Sequence, residues 1–260
     1  MTDEPLAITT DGAVVRITMT RPDRRNAFDA TLIGALTAAF RSAPARPGAR
    51  VVVLAGEGTS FSAGADLHWM RGSLALSAEQ NRDDALALAD MLAAISECPL
   101  PVVARVQGHA LGGGGGLVCA ADIAIAADDA TIGFPEVRLG IVAAAISPYV
   151  VRRIGPGAAR AMFLTGRAAD PAEALRVGLV HAVAPADGLD DAVAATVRDL
   201  VAGGPQALAA TKRLLDECSA PLAAGVREGT AERIAAIRVG GEAQAGIRAF
   251  LDRERAPWRS

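Results

Sequence analysis

Gly108-His109-Ala110-Leu111-Gly112-Gly113-Gly114-Gly115-Gly116 is the stretch on which the reading of this chain turns. An apolar, β-branched run over residues 102–106 precedes it and a second apolar run over 123–126 follows it, so two buried strands are expected with a tight glycine turn between them at 112–116. Glycine at such a turn lets the backbone approach a ligand closely and leaves N–H groups directed outward. A second segment of the same kind, Phe61-Ser62-Ala63-Gly64-Ala65-Asp66-Leu67, follows another strand-like run at 51–54. Two N–H groups converging on one point form an oxyanion hole. Either segment taken alone is explained as well by a glycine turn that packs a helix against a sheet.

Other glycine-rich loops do not fit these residues. A phosphate-cradling P-loop needs Gly-Lys-Ser or Gly-Lys-Thr after its glycines, whereas Gly116 precedes Leu117 and Val118. The dinucleotide pattern G-x-G-x-x-G is also absent. A third segment, Phe134-Pro135-Glu136-Val137-Arg138-Leu139-Gly140, places a carboxylate among apolar neighbours. Burial there raises its pKa and suits it to proton transfer near neutrality, while the plain alternative is a surface glutamate paired with Arg138.

Outward from these segments, the first half alternates strand-like and helix-like patterns. Residues 14–19 alternate apolar and polar, and Leu32, Ile33, Leu36 and Phe40 recur at helical spacing. Ser77 with Gln80 is a capping box that opens a helix striped by Leu88, Met91, Leu92 and Ile95, and Pro99 and Pro101 end that helix. Beyond residue 147 the patterns are mainly helical. Asp170, Pro171 and Gly178 mark the N-cap, first turn and C-terminus of a short helix, and further helices are expected over 205–217, 221–239 and 242–253. Apolar residues on more than one face of these late helices predict burial against another subunit.

The bulk composition narrows the function. Of 260 residues, 51% are hydrophobic and 21% charged, which is enough for one main domain. Only 3% are aromatic and the net charge is -3, from 26 basic and 29 acidic residues, so neither a stacking surface nor an electrostatic footprint for nucleic acid is expected. Three cysteines without zinc spacing predict reduced thiols and no metal. The acidic start does not resemble a secretory signal, and the most apolar long window, 110–127, carries the glycine run and Asp122, so a soluble, cytoplasmic protein that does not enter membranes is expected.

Taken in order, Arg21-Pro22 with Asn26-Ala27-Phe28, the 61–67 segment, the 108–116 segment, Asp122-Ile123-Ala124, Pro135-Glu136-Val137-Arg138-Leu139-Gly140 and Ala172-Leu175-Gly178-Leu179-Val180 resemble the crotonase (enoyl-CoA hydratase/isomerase) superfamily over nearly the whole chain. The resemblance implies an α/β fold, a spiral of repeated ββα units with a helical C-terminal region used for trimerisation. It divides the chain into an acyl-CoA-binding core, 1–200, and an oligomerisation region, 201–260. It also implies an acyl-CoA thioester as substrate, with no cofactor, and a homotrimer or dimer of trimers. Carried over by position, the oxyanion donors are the N–H groups of Ala65 and Gly113, and Glu136 is the catalytic carboxylate that handles the proton of the attacking water. Contacts to CoA fall at Ala27, Ala63, Asp66 and Leu67, with Arg24 or Arg25 near the phosphates and Phe250 at the edge of a neighbour's site. Residues 68–71, His-Trp-Met-Arg, either line the acyl pocket or form an ordinary amphipathic turn.

Two departures from the common pattern stand out. Familiar hydratases carry two glutamates, and Gly116 occupies the position of the first. Where many members have a Pro-Gly-rich stretch, this chain reads Ile141-Val142-Ala143-Ala144-Ala145-Ile146-Ser147-Pro148-Tyr149. Both departures resemble the methylglutaconyl-CoA or isohexenylglutaconyl-CoA hydratases. The expected reaction is hydration of a 2-enoyl-CoA in fatty-acid or branched-chain acyl-CoA breakdown. A shift of the double bond from position 3 to position 2 is the alternative within enzymes, and acyl-CoA binding without turnover is the alternative outside them.

Overall fold

The computed structural model describes residues 4–73, 75–218, 241, 242, 245, 249, 252 and 254–258. The helix expected over 221–239 and Phe250 lie outside the described residues, as does most of 242–253.

A six-stranded sheet forms the centre, in the order β1 (Leu6–Asp11), β2 (Val14–Met19), β3 (Val51–Gly56), β4 (Val102–Val106), β6 (Ile123–Ala127), β9 (Ala182–Ala184). Only the β1/β2 hairpin is antiparallel; every other neighbour in this sheet is parallel. Parallel neighbours require crossovers, and these hold α1 (Ala30–Ser42), the short α2 (Leu67–Ser73) and the long α3 (Ala78–Ser96). The Ser77 side chain and Gln80 close both halves of the capping box that starts α3.

Strand alternation explains why β3 reads as one unbroken apolar run. Val52 and Leu54 enter the main core with Leu36, Phe40, Leu92 and Ile95, while Val51 and Val53 face a second core that α7 (Leu189–Val201) closes with Leu189 and Val193. β4 and β6 divide the same way: Ala104 and Ala124 face the main core, Val103 and Ile125 the second. Arg105 reaches past that second core to pair with Asp190 of α7 at 2.7 Å.

A three-stranded sheet, β5 (His109–Leu111), β7 (Thr131–Gly133) and β8 (Ala168–Ala169), lies beside the first. These strands are only two or three residues long, too short for a period to show in the letters. The turn expected at 112–116 is a correction. Gly112 alone makes the turn, with φ 54° and ψ -120°, and Gly113 to Gly116 are the first turn of a buried helix, α4 (Gly113–Ala120). Glycine is a poor helix former, so the run reads as a loop, and packing overrides that propensity.

The C-terminal half is helical, with α5 (Ser147–Thr165), α6 (Pro171–Val177), α7 and α8 (Pro205–Cys218). α6 carries the expected Asp170 cap, first-turn proline and left-handed Gly178. α8 is tied to the sheet layer by Lys212, which donates to the Leu100 carbonyl and pairs with Asp122 at 2.6 Å.

Candidate active site

Asn26 is the first fixed point of the site. It is fully buried with φ 53°, a left-handed backbone that Asn tolerates better than most residues. Its amide Nδ2 donates to the carbonyls of Glu57 and Ser60, and its Oδ1 accepts from the Arg21 N–H. The Ser62 hydroxyl donates to the Asn26 carbonyl. These bonds lock residues 21–28 to the 57–62 loop.

The 61–66 segment then runs between two others. On one side the Ser62 N–H donates to the His109 carbonyl and the Leu111 N–H to the Ser62 carbonyl. On the other, the Phe28 N–H donates to the Gly64 carbonyl at 2.7 Å and the Asp66 N–H to the Phe28 carbonyl at 2.8 Å. Phe28 and Ala65 form an isolated parallel bridge, so the Ala65 N–H, which lies between those two bonded groups, points away from Phe28. The start of α4 comes close to this segment: a β-carbon on Gly64 would lie 2.6 Å from the Leu111 carbonyl oxygen and 3.4 Å from the Gly113 nitrogen. Gly113 is the first residue of α4, where the N–H has no intrahelical acceptor. The structure thus brings the segments bearing Ala65 and Gly113 side by side.

Each glycine of the run is demanded by a different neighbour. A β-carbon on Gly113 would stand 2.5 Å from the Phe28 ring, on Gly114 2.3 Å from the Ser62 carbonyl oxygen, on Gly115 2.7 Å from the Phe134 ring and on Gly116 2.4 Å from Ile146 Cγ2. The position matching the family's first glutamate is therefore filled from the side by Ile146, with Leu92 at 3.7 Å behind it.

Glu136 arrives by strand register. β5 and β7 pair with Leu111 opposite Gly133, and the Gly112 N–H donates to the Gly133 carbonyl at 2.8 Å. The chain then enters a 3-10 turn, Pro135–Leu139, which sets the carboxyl beside Gly112: Glu136 Oε1 is 3.1 Å from where a Gly112 β-carbon would be. Its Oε2 is buried and, among the described residues, has no hydrogen-bond partner. Arg138 does not pair with it. That side chain turns to the Thr165 carbonyl, at 3.5 Å, and packs against Gly166. With no cation beside it among the described residues, burial pushes the Glu136 carboxyl above the ordinary glutamate range, and a bond from its own backbone N–H opposes this less strongly.

The Ala65 and Gly113 segments lie side by side with a raised-pKa carboxyl close to Gly112; backbone N–H groups can stabilise a developing oxyanion, and such a carboxyl can move a proton. The Enoyl-CoA hydratase/isomerase family model matches residues 9–260. The chain belongs to this family. Members of the enoyl-CoA hydratase/isomerase family act on acyl-CoA thioesters. AtuE of Pseudomonas aeruginosa is 38% identical, with a TM-score of 0.95 over 99% of this chain and all of that one. An enoyl-CoA hydratase from Shewanella pealeana is 36% identical, with a TM-score of 0.94 over 98% of this chain and 96% of that one. A Thermus thermophilus relative, provisionally named an enoyl-CoA hydratase, is 36% identical over 247 residues, 93% of this chain and 96% of its own.

The residues assigned to CoA by resemblance to the family are placed as follows. Ala27 is buried, and the Ala63 N–H donates to the Arg25 carbonyl. Asp66 caps α2 by accepting from the N–H groups of His68 and Trp69, and Arg24, about half exposed, lies 3.8 Å from it. Leu67 is 80% exposed at the start of α2. Of residues 68–71, Trp69 packs against the main core and lines a cavity of about 320 Å³ between α1 and α3. Sequence reasoning quoted Asn26 and Ile146 only within longer stretches that resemble the family and gave neither a role in the site. Asn26 had a signal in its tolerance of left-handed backbone, whereas Ile146 had none, because its contact with Gly116 crosses thirty positions of chain.

Among the described residues, no helix is long and apolar enough to cross a membrane.

Proposed function

We propose that the chain is an enoyl-CoA hydratase that adds water across the double bond of a 2-enoyl-CoA. The observation that carries this reading is the half-buried Glu136 carboxyl, whose Oε2 is buried and, among the described residues, without a cation or a hydrogen-bond partner, held beside Gly112 next to Gly113. With the thioester oxygen between the Ala65 and Gly113 N–H groups, electron density leaving the double bond collects on that oxygen. Glu136 takes a proton from water as the water oxygen bonds to C3, then delivers it to C2 as the enolate collapses. One water is consumed, both of its hydrogens are retained in the product, and Glu136 is restored. Every step runs on the protein's own groups, so this reading calls for no metal or redox cofactor. The Gly116 position and the Ile146-Ser147-Pro148-Tyr149 stretch support a substrate of the methylglutaconyl-CoA or isohexenylglutaconyl-CoA kind.

The second reading, isomerisation of a 3-enoyl-CoA, is favoured by the same Gly116 and Ile146 contact, because a single carboxyl is all that carrying a proton between two carbons requires. The two separate in one assay that follows the absorbance of the conjugated thioester. The hydratase consumes a 2-enoyl-CoA and yields the 3-hydroxyacyl-CoA. Conversion of a 3-enoyl-CoA with no hydrated product assigns the isomerase instead.

A further inference from the structure

α4 should not be a stable helix on its own terms. Its first four residues are glycines, each about 1 kcal/mol worse than alanine in a helix interior. Gly114 to Ala120 are all buried, so the carbonyls left over at its C-terminal end have little access to water. One side chain supplies what they lack. Arg153 of α5 donates through Nη2 to the carbonyls of Val118 and Cys119, each at 3.2 Å, and to that of Ala121, and through Nη1 to that of Asp122 at 3.3 Å. A cation there also complements the negative end of the helix dipole. His181 flanks the guanidinium at 3.1 Å, with its Nδ1 accepting from the Ala124 N–H. Ile146, the residue just before α5, also presses on Gly116, midway along α4. α5 and the residue before it thus hold α4 at its carbonyl end and at its middle, and the first residue of α4 carries the Gly113 N–H.

We propose that Arg153 is a positioning residue for the oxyanion donor Gly113, acting through α4. The inference rests on the reading of Ala65 and Gly113 as the oxyanion hole. Eight residues at 1.5 Å rise span about 12 Å, so loosening the carbonyl end lets a helix without intrinsic stability tilt, and the donor drifts from the thioester oxygen.

The test uses the full-length protein and a conjugated aryl-enoyl-CoA whose absorption moves to longer wavelength when its carbonyl is polarised. The wild type is expected to show that shift, and Glu136→Gln to keep the shift while losing turnover. Absence of the shift in the wild type overturns the oxyanion reading itself, and the Arg153 proposal with it. With the shift present, Arg153→Met is expected to lose about tenfold to a hundredfold in kcat with KM within about threefold, and to bind the chromophore with a visibly smaller shift. Arg153→Lys keeps the charge with fewer donors, should fall between, and carries the test alone should the methionine variant not fold. A folded variant with a lowered melting temperature but undiminished kcat and shift overturns the proposal, because a merely structural arginine predicts that result.

Discussion

Glu136 and the glycine run set limits that single substitutions can read. Glu136→Gln should keep acyl-CoA affinity and lose at least about a hundredfold in kcat, since an amide cannot cycle a proton. The same variant should gain stability near neutral pH. A carboxyl whose pKa is raised in the folded state stabilises fully below its unfolded value, and that contribution is lost as pH rises through the folded value. Melting of wild type and variant across pH should therefore converge in acid and separate, variant above wild type, once pH passes the raised value. Curves parallel at every pH would show that the carboxyl is not desolvated. In the glycine run the sign of an alanine substitution is the readout. An exposed helix gains about 1 kcal/mol from Gly→Ala. Here Gly114→Ala drives a β-carbon to 2.3 Å from a backbone carbonyl and should cost about 1–3 kcal/mol, whereas Gly116→Ala meets the side chain of Ile146, which can yield, and should cost less. Chemical denaturation of the two variants orders them.

At the scale of elements, the backbone beside Glu136 is three short segments that do not hold their own shape. The 21–28 loop, the 61–66 segment and α4 are fixed by bonds between them, and Asn26 is where two of them join. Asn26→Gly keeps access to the left-handed backbone but strands two carbonyls and one N–H, and should cost about 2–3 kcal/mol. Asn26→Ala loses the same bonds and adds the left-handed penalty, about 1–2 kcal/mol more. Equal losses in the two variants, measured by urea unfolding, would mean that the backbone angle is not enforced. Element limits were legible where chemistry is local, as in the Ser77 box and the Asp170 cap. They were illegible in α4, where four glycines argue for a turn and only the neighbours that leave no room for β-carbons explain a helix.

For the molecule as a whole, the described part of the surface leaves large apolar side chains in solvent, among them Leu139, Val142 and Leu164, each more than 60% exposed. Leu139 and Val142 follow Glu136 closely in the chain, so burying them would enclose the site. With the late helices read as subunit contacts, the 26.5 kDa chain should sediment as a trimer or a multiple of one, and a monomer at micromolar concentration would contradict that expectation.

By itself the sequence determined the alternation of strands and helices, the burial of the central strands and the helix caps, and it singled out the three segments proposed to carry the site, because periodicity, capping and glycine chemistry act over a few neighbouring residues. Tertiary structure alone decided that β5 and β7 pair so as to set Glu136 beside Gly112, that Ile146 fills the space beside Gly116, that Arg138 turns away from the carboxyl, and that Arg153 holds the end of α4. Those contacts join residues about twenty to thirty-five positions apart, where no local pattern in the letters records which side chain meets which backbone.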